Sequence, residues 1–384
     1  MKKMLLRIDK PLLISFIVLT IFGLLMIYSS SSISAVLRYN RPSYYFFEKQ
    51  LIFVVLALFV GFVFVLKTPT KFYKGIAFLG LILSLIVLIS LITKRVLTNN
   101  ASSWYKLGPI SIQPSEFVKS FSILTMGFFY GRFFQRKNPP LVGAFIPLAF
   151  YILCAVLIIL QPDFGSAAIY AGIVGAIFLT LPFKDKAMKY FKYIALGVVA
   201  IGLYIMLFHS SSLTHTQESR FNFKEPCSRY TQETGYQVCN GFIAIKNGGL
   251  FGVGLGNSTQ KYLYLPESHT DFIFPIIVEE MGLVVGLVII FVYTFILYRI
   301  YVISREATNL RNQIIAFGVF IYLALHIIIN MVGITALLPL TGVPLPLLSY
   351  GGSFAVNVIL MLFVVERIAY ETNYEKKLNK IREI

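Results

Sequence analysis

The chain has 384 residues, of which 57% are hydrophobic and only 13% charged. A water-soluble domain carries about 25% charged residues, so the composition excludes that class. The net charge of +17 is scattered over short segments between apolar runs; no basic domain exists to hold a nucleic acid, and the charge instead sets membrane topology and favours anionic lipid.

In chain order, apolar windows of about 20 residues fall at 11–30, 50–66, 75–93, 115–131, 141–160, 164–182, 192–208, 272–297, 313–334 and 352–368. They predict an all-α polytopic membrane protein of about ten transmembrane helices, one integral membrane domain over 1–384. The first window is longer than a signal-peptide core and reads as a retained helix. With the N-terminus inside, the inner segments hold 22 of the 34 Lys and Arg residues, so both termini are expected in the cytoplasm. One long polar segment, about 209–271, then faces outward, as do two shorter ones at about 94–114 and 335–351. The tail 369–384 reads as a charged helix at the membrane surface. No internal repeat stands out, which disfavours a transporter built on inverted repeats.

Polar groups are costly at membrane depth, so those that occur there are the candidates. In the first outward segment, Trp104 and Tyr105 fit an interfacial aromatic belt, and Pro114 with Ser115 fits a helix start. Glu116 and Lys119 share one helix face at i,i+3 and can pair; they are either a structural ion pair or the lining of a cavity. Asp163, in Gln161-Pro162-Asp163-Phe164-Gly165, either caps the next helix or belongs to a site. Cys154 lies in an apolar run and reads as a packing residue. Cys227 and Cys239 share the long segment as a disulfide or as two free thiols. The glycines at 252, 254 and 256 lack dinucleotide-fingerprint spacing, but permit close backbone approach, including to a phosphate. No zinc-site spacing and no Gly-x-Ser-x-Gly occurs. Three prolines and three glycines between Leu338 and Ser353 forbid a regular helix, so that backbone needs protein, water or substrate as partners.

The stretch Lys261 to Phe274 places Glu267, Ser268, His269, Thr270 and Asp271 directly before a long apolar run. Asp271 is one of only four aspartates, with Asp9, Asp163 and Asp185. A carboxylate at the mouth of a span suits a general base.

Four segments together resemble the SEDS family, the FtsW/RodA/SpoVE group: Gln113–Lys119, Gln161–Gly165, Leu265–Phe274 and Leu348–Ser353. The resemblance covers nearly the whole chain. It implies ten transmembrane helices with both ends cytoplasmic, and polymerisation of lipid II into glycan strands. The implied partners are a class B penicillin-binding protein transpeptidase and other divisome or elongasome membrane proteins. Residues 247–261 look more like the FtsW branch than RodA. Near Pro226, where FtsW sequences commonly carry Asp-Pro, this chain departs with Cys227-Ser228-Arg229-Tyr230.

On this resemblance Asp271 matches the family's essential aspartate, Glu116 and Lys119 its buried acidic and basic pair, and Trp104 its outer-loop tryptophan. The expected chemistry is attack by an acceptor hydroxyl on the donor's anomeric carbon, with inversion and Asp271 as base. Lys119, Lys106 and Arg220 are the expected cations at the pyrophosphate, with Mg or Mn as an aid. Gln113, Ser115, Glu267, His269, Thr270 and Ser349 complete the expected substrate contacts. Two other readings stand beside this one. One is a lipid II flippase or transporter with a polar pathway through Glu116, Lys119 and Asp271; the other is a non-catalytic scaffold that recruits a transpeptidase.

Overall fold

The computed structural model describes residues 7–98, 103–107, 110–136, 142–161, 163–186, 188, 190–193, 197, 225–231, 233–266 and 268–382. The seventh apolar window (192–208) lies almost wholly outside the described residues, and Arg220 and Glu267 lie outside them too.

Helix α1 (Lys10–Leu37) starts where Asp9 accepts a hydrogen bond from the Leu12 amide and Pro11 occupies the first turn. That satisfies one of the orphan donors of a helix start and places there a residue that has no amide to leave unpaired. Helix α2 (Tyr45–Val60) continues through a wider turn at Gly61–Val65, and α3 spans Tyr73–Thr98. Strands β1 (Tyr105–Leu107) and β2 (Ile110–Ile112) form an antiparallel hairpin with Lys106 opposite Ser111. Helices α4 (Pro114–Phe133), α5 (Val142–Ile159) and α6 (Phe164–Thr180) follow. Then come α7 (Glu233–Gly248), α8 (Ile273–Glu306), α9 (Leu310–Ile334) and α10 (Gly352–Arg382).

Among the described residues, nine of the ten windows coincide with helices, and seven helices are long and apolar enough to cross a membrane. Helix α1 shows why lipid is the solvent. Its buried face carries Leu12, Phe16, Leu19 and Met26, while Ile14, Val18, Ile21 and Leu25 on the other face are exposed. A helix apolar all round needs an apolar surrounding. The chain is a multi-pass membrane protein.

Helix α4 is not among those seven and is largely enclosed, with 16 of its 20 residues buried. It packs against α3 and α9, and more lightly against α5, α6 and α10. Its buried face carries Glu116, Lys119, Ser120, Ser122 and Thr125.

Two features depart from the sequence reading. The long polar segment is not all loop: α7 lies within it and packs on α8. The Cys227–Cys239 disulfide ties α7 to the short turn Pro226–Arg229. Second, the span at 272–297 is broken. Gly282 has φ 87° inside α8, and a Cβ there would stand 2.2 Å from the Leu250 carbonyl oxygen. The glycine-rich loop closes on this break. The amides of Val253 and Gly254 donate to the carbonyls of Glu279 and Glu280, and the amides of Leu283 and Val284 donate to Gly249 and Leu250. A broken helix buried in a bundle must have its freed backbone groups met by protein. The backbone these glycines approach is that of α8.

The irregular segment 335–351 is met in the same way. Asn330 of α9 donates to the Val343 carbonyl at 2.8 Å, Ser349 Oγ accepts from the Leu345 amide at 2.8 Å, and the Tyr293 hydroxyl donates to the Pro346 carbonyl.

Candidate active site

A cavity of about 510 Å³ lies among α2, the approach to β1, β2, α4, α6, α9, the start of α10, Thr270 and the 342–352 segment. Segments far apart in sequence meet there because the enclosed helix α4 begins at its wall. Trp104, Gln113, Glu116 and Thr270, all expected at the site, line it. Gln113 Nε2 donates to Asp163 Oδ2 at 2.6 Å, while Asp163 Oδ1 accepts the Ser166 amide at 3.0 Å. Asp163 therefore caps α6 and lines the cavity at once.

Behind this wall lies a dry cluster. Lys119 Nζ is 2.6 Å from Glu116 Oε1 and 3.4 Å from His326 Nε2, and the Tyr322 hydroxyl donates to Glu116 Oε2 at 3.2 Å. His326 Nδ1 is 2.8 Å from the Tyr322 carbonyl. A carbonyl only accepts, so Nδ1 carries the proton and Nε2 offers its lone pair to the ammonium. Glu116 and His326 reach the cavity, but Lys119 is 0% exposed and does not. The i,i+3 pairing read from the sequence forms. Lys119, expected at the substrate, does not line the cavity: its Nζ is held by Glu116 and His326.

Asp271 also sits differently from the expected open mouth. Because α8 is broken at Gly282, Asp271 precedes a short enclosed segment, Ile273–Met281, and is only 7% exposed. Asn330 Nδ2 donates to the Asp271 carbonyl at 2.8 Å, and the same amide group holds Val343. Asn330 thus clamps the 270 and 340 stretches together. Asp271 Oδ2 lies 3.8 Å from where a Cβ on Gly342 would stand, and Gly342, with φ +66°, lines the cavity. The carboxylate therefore lies beside Gly342, next to the cavity, with Thr270 Oγ1 donating to Oδ1 at 3.1 Å.

Three expected contacts fall elsewhere. His269 is buried between Phe46 and Tyr350, at ring distances of 4.5 and 5.6 Å. Burial, helped by the charge of Arg38, lowers its pKa to about 4, so the ring is neutral. Ser349 Oγ donates to the Thr270 carbonyl at 2.6 Å while accepting Leu345, and so acts as a strut. Ser115 is fully buried off the cavity. His269 and Ser349 are thus polar side chains near the site that serve the surrounding packing and backbone. Lys106 contributes its backbone to β1.

Sequence reasoning missed Lys49, which lines the cavity from α2, and Asn330. It also missed a second charged cluster at the helix break: Glu279 and Glu280, two adjacent carboxylates inside an apolar run. Glu280 pairs with Lys261 at 2.9 Å and accepts from Ser29. Glu279 accepts from Asn247, Ser258 and Thr259. For Asn330, Glu279 and Glu280 the signal was an amide or acid within a span.

Residues 10–374 match the FTSW_RODA_SPOVE family of cell cycle proteins. A relative named "Probable peptidoglycan glycosyltransferase FtsW" from Bacillus subtilis (strain 168) is 36% identical, covering 99% of this chain and 95% of its own length. "Stage V sporulation protein E" of the same organism is 31% identical, with 96% and 98% covered. A chain from a solved peptidoglycan synthase complex, described as coordinating polymerization and crosslinking, superposes with TM-score 0.72 at 20% identity. That alignment covers 95% of this chain and 98% of the other, and it speaks for the fold. The full-length match and the fold agree with the four converging segments, and the chain belongs to the FtsW/RodA/SpoVE family of cell cycle proteins.

Proposed function

We propose that this protein is a peptidoglycan glycosyltransferase that joins lipid II units, with Asp271 as its general base. The observation that carries this is convergence: Gln113, Glu116, Asp163, Thr270 and Gly342, from four separate stretches, line one cavity, and the Asp271 carboxylate lies beside Gly342. The acceptor's sugar hydroxyl attacks the donor's anomeric carbon as its proton passes to Asp271. The bond from that carbon to the diphosphate oxygen breaks, and polyprenyl diphosphate leaves. Direct displacement inverts the anomeric centre, and no second carboxylate nucleophile is required. The FtsW and sporulation names of the relatives support this reading, and 36% identity supports the FtsW-like branch. The likeness to a chain of a peptidoglycan synthase complex supports a transpeptidase partner of the class B penicillin-binding type.

A divalent cation at the diphosphate would take most of its oxygens from the substrate's phosphates and from water, with one or two carboxylates from the protein. Among the described residues no three metal-ligating side chains come together, and the Glu116 and Asp163 carboxylates at the cavity accept from Lys119, Tyr322 and Gln113.

The proposed orientation puts the Asp271 end outside and both termini in the cytoplasm, because the opposite end collects most of the loop cations. A thiol reagent that cannot cross membranes should label a cysteine introduced at 264 in intact cells. It should not label one at 378, and labelling there would reverse the orientation.

The test of the chemistry is Asp271→Asn, which keeps shape and cannot accept the proton at neutral pH. Glycan-strand synthesis from lipid II by purified protein with its transpeptidase should fall about 10²–10⁴-fold, while the melting temperature holds. Near-wild-type polymer from the variant would refute the assignment. A wild type that moves lipid II across vesicles and makes no polymer would favour a transporter.

A further inference from the structure

Glycosyl transfer from a lipid diphosphate leaves negative charge on the departing group, and in a membrane-embedded cavity a nearby cation strongly favours that charge. Lys119 is sealed behind Glu116. Among the described residues lining the cavity, Lys49 is the only lysine or arginine. It stands on the second turn of α2, half-buried. Its Nζ donates to the Tyr45 hydroxyl at 2.7 Å and lies 4.4 Å from the centre of that ring. The Tyr45 hydroxyl one turn away orients the Lys49 side chain.

The next residue fixes the helix against the opposite wall. Gln50 Oε1 accepts from the Gly351 amide at 3.1 Å, and its Nε2 lies 3.5 Å from the Ser349 carbonyl. That segment in turn holds the Asp271 stretch, since Ser349 bonds Thr270 and the Tyr350 amide donates to the His269 carbonyl at 2.8 Å. Lys49 and Asp271 are thus registered to each other through one short hydrogen-bonded chain. The cation faces the cavity from α2, and the carboxylate lies beside Gly342, which lines the same cavity.

We propose that Lys49 binds the diphosphate of the lipid-linked donor and carries part of its charge as it leaves. This rests on the glycosyl-transfer reading above. It assigns to Lys49 a role expected of Lys119, Lys106 and Arg220, and it places the leaving group toward α2.

The probes are farnesyl diphosphate and farnesol, which share a short prenyl tail and differ in the diphosphate. Binding of each to detergent-solubilised protein is measured for wild type, Lys49→Met, Lys49→Gln and Lys49→Arg. Wild type should prefer the diphosphate, and Lys49→Met should lose about 10- to 100-fold of that preference. Lys49→Arg should keep most of it, because charge and reach survive, whereas a packing role would not distinguish Arg from Met this way. Lys49→Gln carries the same comparison should the Met variant not fold. A diphosphate preference equal in wild type and the neutral variants overturns the proposal. Lipid II polymerisation is followed in parallel. Wild-type rates in Lys49→Met with unchanged diphosphate preference would sink Lys49 alone and leave the glycosyltransferase reading intact. Lys49-dependent diphosphate binding by a wild type that makes no polymer would uphold the site and sink that reading.

Discussion

Two clusters of buried charge sit in this bundle and differ in what they touch. Glu116 and Lys119 share α4 with Tyr322 and His326 packed on them, and Glu116 and His326 open onto the cavity. Glu280 and Lys261 pair beside Glu279 and Ser29, and none of them reaches it. The second cluster has a structural task. Glu279 gathers the hydroxyls and amides of the 258–260 turn, and the carbonyls of Glu279 and Glu280 take the amides of the loop that closes the break at Gly282. A buried ion pair is weak evidence for function by itself, because desolvation offsets much of its attraction. What separates the two clusters is access to a volume that a substrate can occupy.

The comparison is broken or sharpened by taking charge from each cluster in turn. Glu116→Gln leaves the Lys119 ammonium uncompensated and withdraws the one carboxylate of the pair that reaches the cavity. We expect about 10²-fold lower polymerisation, as for a misplaced reactive geometry, together with a lower melting temperature. The exchange Glu116→Lys with Lys119→Glu restores a pair but turns the cavity-facing charge positive. It should recover stability and not activity. Full recovery of glycan synthesis by the exchange would place both clusters in the same structural class.

Glu280→Gln should act on stability alone. Breaking a buried pair by removing one partner costs about 3–5 kcal/mol, since Lys261, 3% exposed, keeps its charge without a carboxylate. Activity per folded molecule should match wild type. Glycan synthesis that collapses while thermal unfolding is unchanged would show that the helix break takes part in the reaction, and the contrast drawn here would fail.

How much of this was legible in the sequence depends on the range of the physics involved. Helix positions follow from local composition, and nine windows landed on helices because lipid demands long apolar runs. The Glu116–Lys119 pair was legible because i,i+3 neighbours meet on any helix. Lys119 being sealed was not, because His326 and Tyr322 come from α9, far along the chain. The break at Gly282 was hidden for a similar reason: a glycine inside an apolar run reads as a tolerated glycine, and only the loop 249–254 packed against it shows why φ is positive. With that break, Asp271 precedes an enclosed segment and does not stand at an open mouth. His269 and Ser349 resembled site residues because they flank Thr270 and Asp271 in space, but holding a loop in place uses the same polar side chains as holding a substrate.

His269 shows a third way to bury a titratable group, and it yields the smallest of the expected effects. Where the two clusters hold charges in pairs, His269 is kept neutral between Phe46 and Tyr350. Burial first, and the charge of Arg38 second, bring its pKa from 6.5 to about 4. The direction of the pH effect follows from proton counting. Between about 4 and 6.5 the unfolded chain binds this proton and the folded chain does not, so stability rises with pH over that window. The contribution is fully present above 6.5, is lost as pH falls toward 4, and is level below. The steepest slope for one proton is about 1.4 kcal/mol per pH unit. Carboxylates titrate in part of the same window, so the measurement is a difference. Unfolding free energy of wild type and His269→Asn is followed from pH 4 to 7.5, and the wild type should lose stability more steeply on the acid side. Any constant offset from altered packing drops out, because only the difference in slope reports the ring. Parallel curves would mean that His269 takes its proton in the folded protein, and that this position holds charge as the two clusters do.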